Sequence, residues 1–388
     1  MSRKKELRLR ILEYILTRGK ATRPELVEYT GSRAATVFEV IDSLKLSGLL
    51  VEPGRRSVRT GRKAPELTIH RTAGYWLGID FRLEGSIGVI TDAMGEVLFM
   101  EKLSCARRDL NDCRREIGEL VRRLRKDAGK EWELVSGIGF ADPGVVDVKH
   151  AFSRKAVNIP GWENAATGEW LEGEFHLPAG IWPETMIKTS MEYLLRMPDV
   201  PESIFLLNFD DGVGGGFIRR GELFTGATGC GMEIGHLVID PAGPVCKCGN
   251  RGCVETLVGA DGIANQLRQA IASGIASTLD PEKFSMDEFI DAVHCDKAAR
   301  IIADQVCKNI GQALSAVVTL LNPSMIVFSG KLCRLDDVLL SGVRRVLELN
   351  CFADALQDLR LELSKAGEFD TARGAALRLR DKIWLEDC

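Results

Sequence analysis

Residues able to do chemistry gather most densely between Glu233 and Glu255, in the run EIGHLVIDPAGPVCKCGNRGCVE. His236 stands ten residues ahead of Cys246, and Cys248 and Cys253 follow within a stretch rich in turn formers. Three thiolates and one imidazole are a complete tetrahedral set for Zn2+, and because no coordination position is left open the expected role of the metal is structural. Buried thiols beside a surface histidine are the competing reading. It fits less well, because C-x-C-x4-C interleaved with glycine leaves few side chains from which to pack a core. Glu233 and Glu255 bracket the cluster, so the knot is expected to hold a pocket wall rigid while its polar groups face a ligand. The chain has 11 cysteines and opens with MSRKKELRLR rather than an export signal, which favours metal ligation over a disulfide framework.

The elements that must position this knot read as α/β. From Tyr75, YWLGIDFRLEGSIGVITDAMGEVLFMEKL alternates short apolar runs with turn signals and predicts consecutive antiparallel strands. A polar helix near 109–128 and a strand from Val135 to Phe140 follow. The order of strand, glycine turn and strand returns in SIFLLNFDDGVGGGFIRRGELFTG. Helices are expected over 260–275 and 297–321, the second stopped by Asn322-Pro323 ahead of a strand from Met325 to Ser329. A repeated unit predicts a body, 73–388, of two similar lobes, about 73–185 and 186–388, with a ligand cleft between them and the C-terminal helix returning to the first.

Residues 1–72 read as a separate DNA-binding domain. Leu7, Ile11, Tyr14 and Ile15 have helical spacing up to Gly19. Thr22, with Glu25 three residues on and Pro24 inside the first turn, is a capping-box start for a second helix through Tyr29. After the turn at Thr30-Gly31, Ser32 is expected to cap a third helix. Val37, Ile41, Leu44 and Leu46 would face inward, leaving Arg33, Ala34, Thr36 and Glu39 available. This is a helix-turn-helix, whose last helix enters the major groove. Leu49–Glu52 and Glu66–Ile69 then predict the strands of a wing joined by PGRRSVRTGRKAP. Its Arg55, Arg56, Arg59, Arg62 and Lys63 can meet phosphates, and with Arg33 and Thr36 they are the candidate DNA contacts.

Composition bounds these readings. At 388 residues the chain exceeds the size of one growing core, and 45% hydrophobic with 27% charged residues places it with ordinary globular proteins. No apolar run reaches membrane-spanning length and no secretory signal is present, which predicts a cytoplasmic protein without a membrane partner. The net charge of -4 hides an asymmetry: residues 1–72 hold 16 Lys/Arg against 8 Asp/Glu, and the remainder holds 35 against 47. A basic head on an acidic body implies an anionic partner for the head alone, nucleic acid first.

With Cys246, Cys248, Gly249, Gly252, Cys253 and Glu255 in place, the knot resembles the zinc signature of the ROK family of repressors, open reading frames and sugar kinases, a GH pair followed by CxCGxxGCxE. NIPGW at Asn158–Trp162 and GVGGG at Gly212–Gly216 extend the resemblance over nearly the whole chain, and the basic head matches the layout of the family's transcription factors. The resemblance implies an N-terminal winged helix-turn-helix joined to an α/β two-lobed actin-like (ROK sugar-kinase) fold. It further implies that Asn158, Glu233, His236 and Glu255 hold sugar hydroxyls. Carboxylates and amides suit that task because each can bridge two neighbouring hydroxyls. Asn158 also has a purely conformational reading, as a turn residue ahead of Pro160.

The kinase chemistry is where the sequence departs. Family kinases carry an ENDAN-like segment whose aspartate takes the proton of the attacking hydroxyl. Here the run is Glu184-Thr185-Met186-Ile187-Lys188. Met186 stands at the position of the base, and a thioether cannot accept that proton. The first nucleotide hairpin, DxGGT in the kinases, is replaced by Asp80-Phe81-Arg82-Leu83-Glu84, which puts bulk and charge where backbone N–H groups would cradle phosphate. Gly212–Gly216 survives, with Asp210 and Asp211 ahead of it expected to repel a nucleotide that comes without a metal. No catalytic residue is assigned. The expected function is a sugar-responsive DNA-binding transcriptional regulator, a repressor, with a sugar-kinase-like body that is catalytically inactive. It is expected to be at least a dimer, because winged helices read paired half-sites. Two further readings fit the same residues. One is an ATP-dependent sugar kinase that also regulates, using Glu184 or another acid as base. The other is a DNA-binding regulator whose body has lost sugar binding and serves oligomerisation or a protein partner.

Overall fold

The computed structural model describes residues 3–53, 65–104, 109–156, 159, 161–210 and 212–386. The wing residues Arg55, Arg56, Arg59, Arg62 and Lys63, together with Asn158 and Asp211, lie outside the described residues. Among the described residues no helix is long and apolar enough to cross a membrane.

At the N-terminus α1 (Arg3–Arg18), β1 (Ala21–Thr22), α2 (Arg23–Thr30) and α3 (Ala34–Leu46) precede β2 (Leu50–Val51) and β3 (Glu66–Ile69). The capping box forms at the head of α2: Glu25 N donates to Thr22 Oγ1 at 3.4 Å and Thr22 N donates to Glu25 Oε2 at 2.6 Å. Gly31, in the left-handed region at φ +62°, closes that helix and makes the turn. Two expectations are corrected at α3. Its N-cap is Arg33 rather than Ser32, and no side chain caps it. Leu46 is 91% exposed, because it lies nine residues beyond Val37 and so about half a turn round the helix, while Val40 takes the inward place. The three strands make an antiparallel sheet in the order β1-β3-β2.

The chain divides into two compact units, one formed by Met1–Ile187 with Glu368–Cys388 and the other by Lys188–Gly367. In the first, β4 (Tyr75–Arg82), β5 (Gly85–Thr91) and β6 (Val97–Leu103) form an antiparallel meander. Asp109 caps α4 (Leu110–Ala128), which sets Ile117, Leu120 and Leu124 into the core beside β5 and β6. β7 (Val135–Asp142) pairs in parallel with β4. A small antiparallel sheet of β8 (Val145–Asp147), β9 (Phe152–Lys155) and β10 (Glu163–Ala165) is followed by α5 (Thr167–Phe175). β11 (Ala179–Pro183) then joins β7 in parallel and completes the order β11-β7-β4-β5-β6. The unit boundary falls inside α6 (Glu184–Leu194).

The second unit repeats the plan. β12 (Ser203–Phe209), β13 (Val213–Arg219) and β14 (Glu222–Leu223) form a meander. The knot comes next, and then α7 (Val254–Val258), α8 (Ala260–Ala272), α9 (Met286–Ala292), α10 (Lys297–Leu321), β15 (Met325–Gly330), α11 (Asp337–Asn350), α12 (Ala353–Leu356) and β16 (Arg360–Leu363). β15 pairs in parallel with β12 and β16 with β15, giving the order β14-β13-β12-β15-β16. Each sheet is thus a meander whose first strand takes a parallel neighbour, which is the repeat visible in the sequence. Three of the four glycines of GVGGG, Gly214, Gly215 and Gly216, belong to β13 rather than to a turn, with Gly214 opposite Asn208, while Gly212 lies just ahead of the strand.

The last helix, α13 (Asp370–Asp381), belongs to the first unit and lies on β4 and β7. A Cβ at Gly78 would come 1.8 Å from the Ala372 carbonyl oxygen, and one at Gly139 1.9 Å from that of Ala375. Helix backbone therefore rests directly on sheet backbone. The segment that follows, Lys382–Glu386, meets α1.

Candidate functional site

The knot is assembled by backbone geometry before any metal is considered. His236 ends a single 3-10 turn, Ile234–His236, and the cysteine loop folds back on itself. Cys246 N donates to Asn250 O at 2.7 Å and Gly249 N donates to Cys246 O at 2.9 Å. Isolated bridges join Val238 to Cys253 and Val245 to Arg251. Gly252, at φ +65°, makes the closest approach: a Cβ there would lie 1.5 Å from the Asp240 carbonyl oxygen. The ligand atoms of His236, Cys246, Cys248 and Cys253 consequently lie within 4.8 Å of one another.

Two of these separations test the donor set. His236 Nδ1 is 3.6 Å from Cys246 Sγ, and Cys248 Sγ is 3.7 Å from Cys253 Sγ. A tetrahedron with Zn–N near ~2.05 Å and Zn–S near ~2.3 Å has N···S edges of about 3.6 Å and S···S edges of about 3.8 Å. The four groups fit a closed tetrahedral metal. Burial pushes the Cys253 thiol up to about 12 and raises that of Cys246, whereas the Asn250 amide holds Cys248 below the usual thiol range. A divalent ion supplies the charge that lets such thiols ionise together. With Nδ1 turned to the sulfurs, His236 keeps Nε2 on the far side of its ring.

The bracketing carboxylates join the knot to β13. Glu255, in the first turn of α7, accepts a hydrogen bond from Val213 N on Oε2 at 3.0 Å. Gly235 lets the knot approach the same residue, since a Cβ there would be 1.9 Å from the Val213 carbonyl oxygen. Glu233 is exposed by area but crowded by neighbouring atoms. Desolvation lifts its carboxyl above the ordinary value, the proximity of His236 opposes this, and Glu255 adds to it. Glu233, His236 and Glu255 thus gather around one end of the knot, within the second unit. Asn158 cannot be placed with them, as it falls outside the described residues. Its neighbours Ile159 and Trp162 are buried.

Sequence reasoning passed over several polar groups that the fold brings together. Asp142, in ADPG at the end of β7, is fully buried and accepts from Trp162 Nε1 at 2.8 Å, from Gly144 N at 2.8 Å and from Ser153 Oγ. Burial raises its carboxyl pKa, against these hydrogen bonds. It ties the tryptophan of NIPGW to the sheet. The one local signal was an aspartate ending an apolar run ahead of Pro-Gly. In the first hairpin, Arg82 Nε donates to Asp80 Oδ2 at 2.6 Å and Arg82 Nη2 donates to the Glu368 carbonyl at 2.9 Å. The chain's own guanidinium thus sits on the aspartate that opens that hairpin. Lys188 Nζ pairs with Asp210 and donates to Asn208 Oδ1 at 3.3 Å. This corrects the expectation that Asp210 repels an anion, because its charge is balanced within the second unit. Met186 is buried in the first unit. Arg33 is exposed at the head of α3, and Thr36 is half-buried in its first turn.

Comparison with known proteins places this geometry. The sequence model of the ROK family matches residues 77–382. The chain is similar to the xylose repressor of Caldicellulosiruptor bescii, 24% identical over 364 residues that span 92% of this chain and 91% of that protein. It is also similar to a glucokinase of Halalkalibacterium halodurans, 31% identical over 236 residues, 59% of this chain and 71% of that protein. Among solved structures, a ROK family transcriptional regulator described as a homologue of the E. coli MLC protein superposes with a TM-score of 0.86 at 24% identity, covering 99% of this chain and 98% of that one. The two repeated sheets are those of an actin-like fold, and the chain belongs to the ROK family.

Proposed function

We propose that this protein is a DNA-binding transcriptional regulator, a repressor, that responds to a sugar and transfers no phosphoryl group. The observation that carries the reading is a likeness to a xylose repressor over 92% of the chain, which takes in residues of the basic head as well as the body. The head, 1–72, contacts operator DNA through Arg33, Thr36 and the wing cations Arg55, Arg56, Arg59, Arg62 and Lys63. The body, 73–388, holds one structural Zn2+ through His236 Nδ1 and the thiolates of Cys246, Cys248 and Cys253. Glu233, Glu255, His236 Nε2 and Asn158 take the sugar hydroxyls. Met186 offers no base for the attacking hydroxyl, and Arg82 on Asp80 supports a first hairpin closed to nucleotide. The regulator works in the cytoplasm as a homo-oligomer, a dimer or a dimer of dimers, matching paired half-sites. Its sugar weakens DNA binding by binding two states of the protein unequally.

The test is a gel-shift series with the protein's own upstream DNA at low salt, repeated across a panel of pentoses, hexoses and their amino derivatives. The expected result is a bound fragment released by one sugar class, and the reading fails if no fragment binds. ADP release measured over the same panel separates the kinase alternative, which predicts sugar-dependent turnover. A thermal-shift screen blank for every sugar would instead assign the body to oligomerisation or a protein partner.

A further inference from the structure

Helix α3 turns Val37, Val40, Ile41 and Leu44 inward and leaves Ala34, Ala35, Phe38, Glu39, Asp42 and Ser43 exposed. From Ala34 to Ser43 it carries no Arg, Lys, Asn or Gln, the side chains that pair bidentately with guanine or adenine edges. Its outward face carries an apolar patch instead, two methyl groups and a phenyl ring 37% exposed, beside Glu39, Asp42 and Ser43. That ring is held: the Arg23 guanidinium lies 5.1 Å from its centroid. The same Arg23 donates through Nη2 to Asp42 Oδ1 at 2.7 Å, and Lys4 Nζ pairs with Glu39 at 2.7 Å. Cations from α1 and α2 therefore balance both carboxylates on this face, which leaves the ring and the two methyls as its apolar reading surface, beside the polar contacts of Arg33 and Thr36 at the head of the helix. The head carries 16 Lys/Arg against 8 Asp/Glu, so the occupant of this apolar face is a polyanion rather than an apolar peptide. Thymine is the DNA base that presents an apolar group, its C5-methyl, in the major groove.

We infer that α3 reads thymine methyl groups, with Phe38 as the principal specificity residue and Ala34 and Ala35 beside it. This rests on the DNA-binding reading above and adds the class of base pair recognised.

Full-length protein would be used to select duplexes from a random pool, and thymine in the selected sites replaced one position at a time by uracil. The replacement deletes the methyl and keeps every hydrogen-bonding group. Each contacted methyl is expected to be worth about fourfold in affinity, and a symmetric pair roughly fifteenfold. Phe38→Ala is expected to bind thymine and uracil duplexes equally with an unchanged salt slope, since phosphate contacts are untouched. Phe38→Leu, which stays apolar, should keep a preference for thymine. If the unaltered protein binds thymine and uracil duplexes equally, the inference is overturned while DNA binding stands. If no duplex is selected at low salt, the underlying reading fails with it.

Discussion

Gly252 shows how little latitude a single position in the knot has. Its left-handed φ and its 1.5 Å virtual contact with the Asp240 carbonyl both exclude a side chain, so Gly252→Ala is expected to cost about 2–4 kcal/mol. The loss should appear as a lower Tm together with substoichiometric zinc by metal analysis; a variant of normal Tm and full zinc content would refute it. Asp142 makes a different kind of demand, through its titration. Burial holds its folded pKa above the ordinary 3.8, so its contribution to stability is fully present below that value and is lost as pH rises through the folded pKa. The stability of the wild type relative to Asp142→Asn should therefore fall as pH climbs from about 4, measured by urea unfolding at several pH values. A difference constant with pH would mean that the carboxyl is not desolvated as described. Trp162 should report the same event by fluorescence, because its indole N–H is bonded to that carboxylate.

At the scale of elements, α2 is the clearest case of local sequence dictating local structure. Thr22 and Glu25 satisfy each other's backbone amides, and Thr22→Ala is expected to remove about 1 kcal/mol from the N-terminal helices, read as a lower midpoint in denaturant. The cap was legible because both partners lie within four residues. The two meanders and the knot were legible for the same reason, their signals being apolar alternation and ligand spacing over short windows. β1 was not, since two residues carry no period, and it exists because β3 offers it an edge. Leu46 was misread because apolar character was counted without its angle round the helix. The pairs Arg82 with Glu368, Lys188 with Asp210, and Asp142 with Trp162 join positions from 20 to 286 residues apart, and no local pattern announces them. Asn158 and the wing cations remain sequence assignments.

For the molecule as a whole, the metal is expected to act on stability and on chemistry together. Treatment with a strong zinc chelator should lower Tm by several degrees and expose Cys246, Cys248 and Cys253 to a thiol reagent in otherwise native protein. Unchanged thiol reactivity would argue against a metal held by this set. The division of the chain has a consequence in time. The second unit is one continuous stretch, Lys188–Gly367, whereas the first is interrupted by it and regains α13 only afterwards. On the ribosome, the sheet built around Gly78 and Gly139 is made early yet lacks its covering helix for about 180 residues, so the later stretch is able to finish folding first. A chain released at Gly367 should accordingly give a protease-resistant second unit beside a first unit with its sheet face uncovered. Because Lys382–Glu386 also meets α1, the N-terminal helices are made well before a segment that packs on the first of them. A nascent chain is thereby expected to lack a finished N-terminal helical unit until residues 188–367 have been made, so that the contact with α1 is among the last the first unit gains.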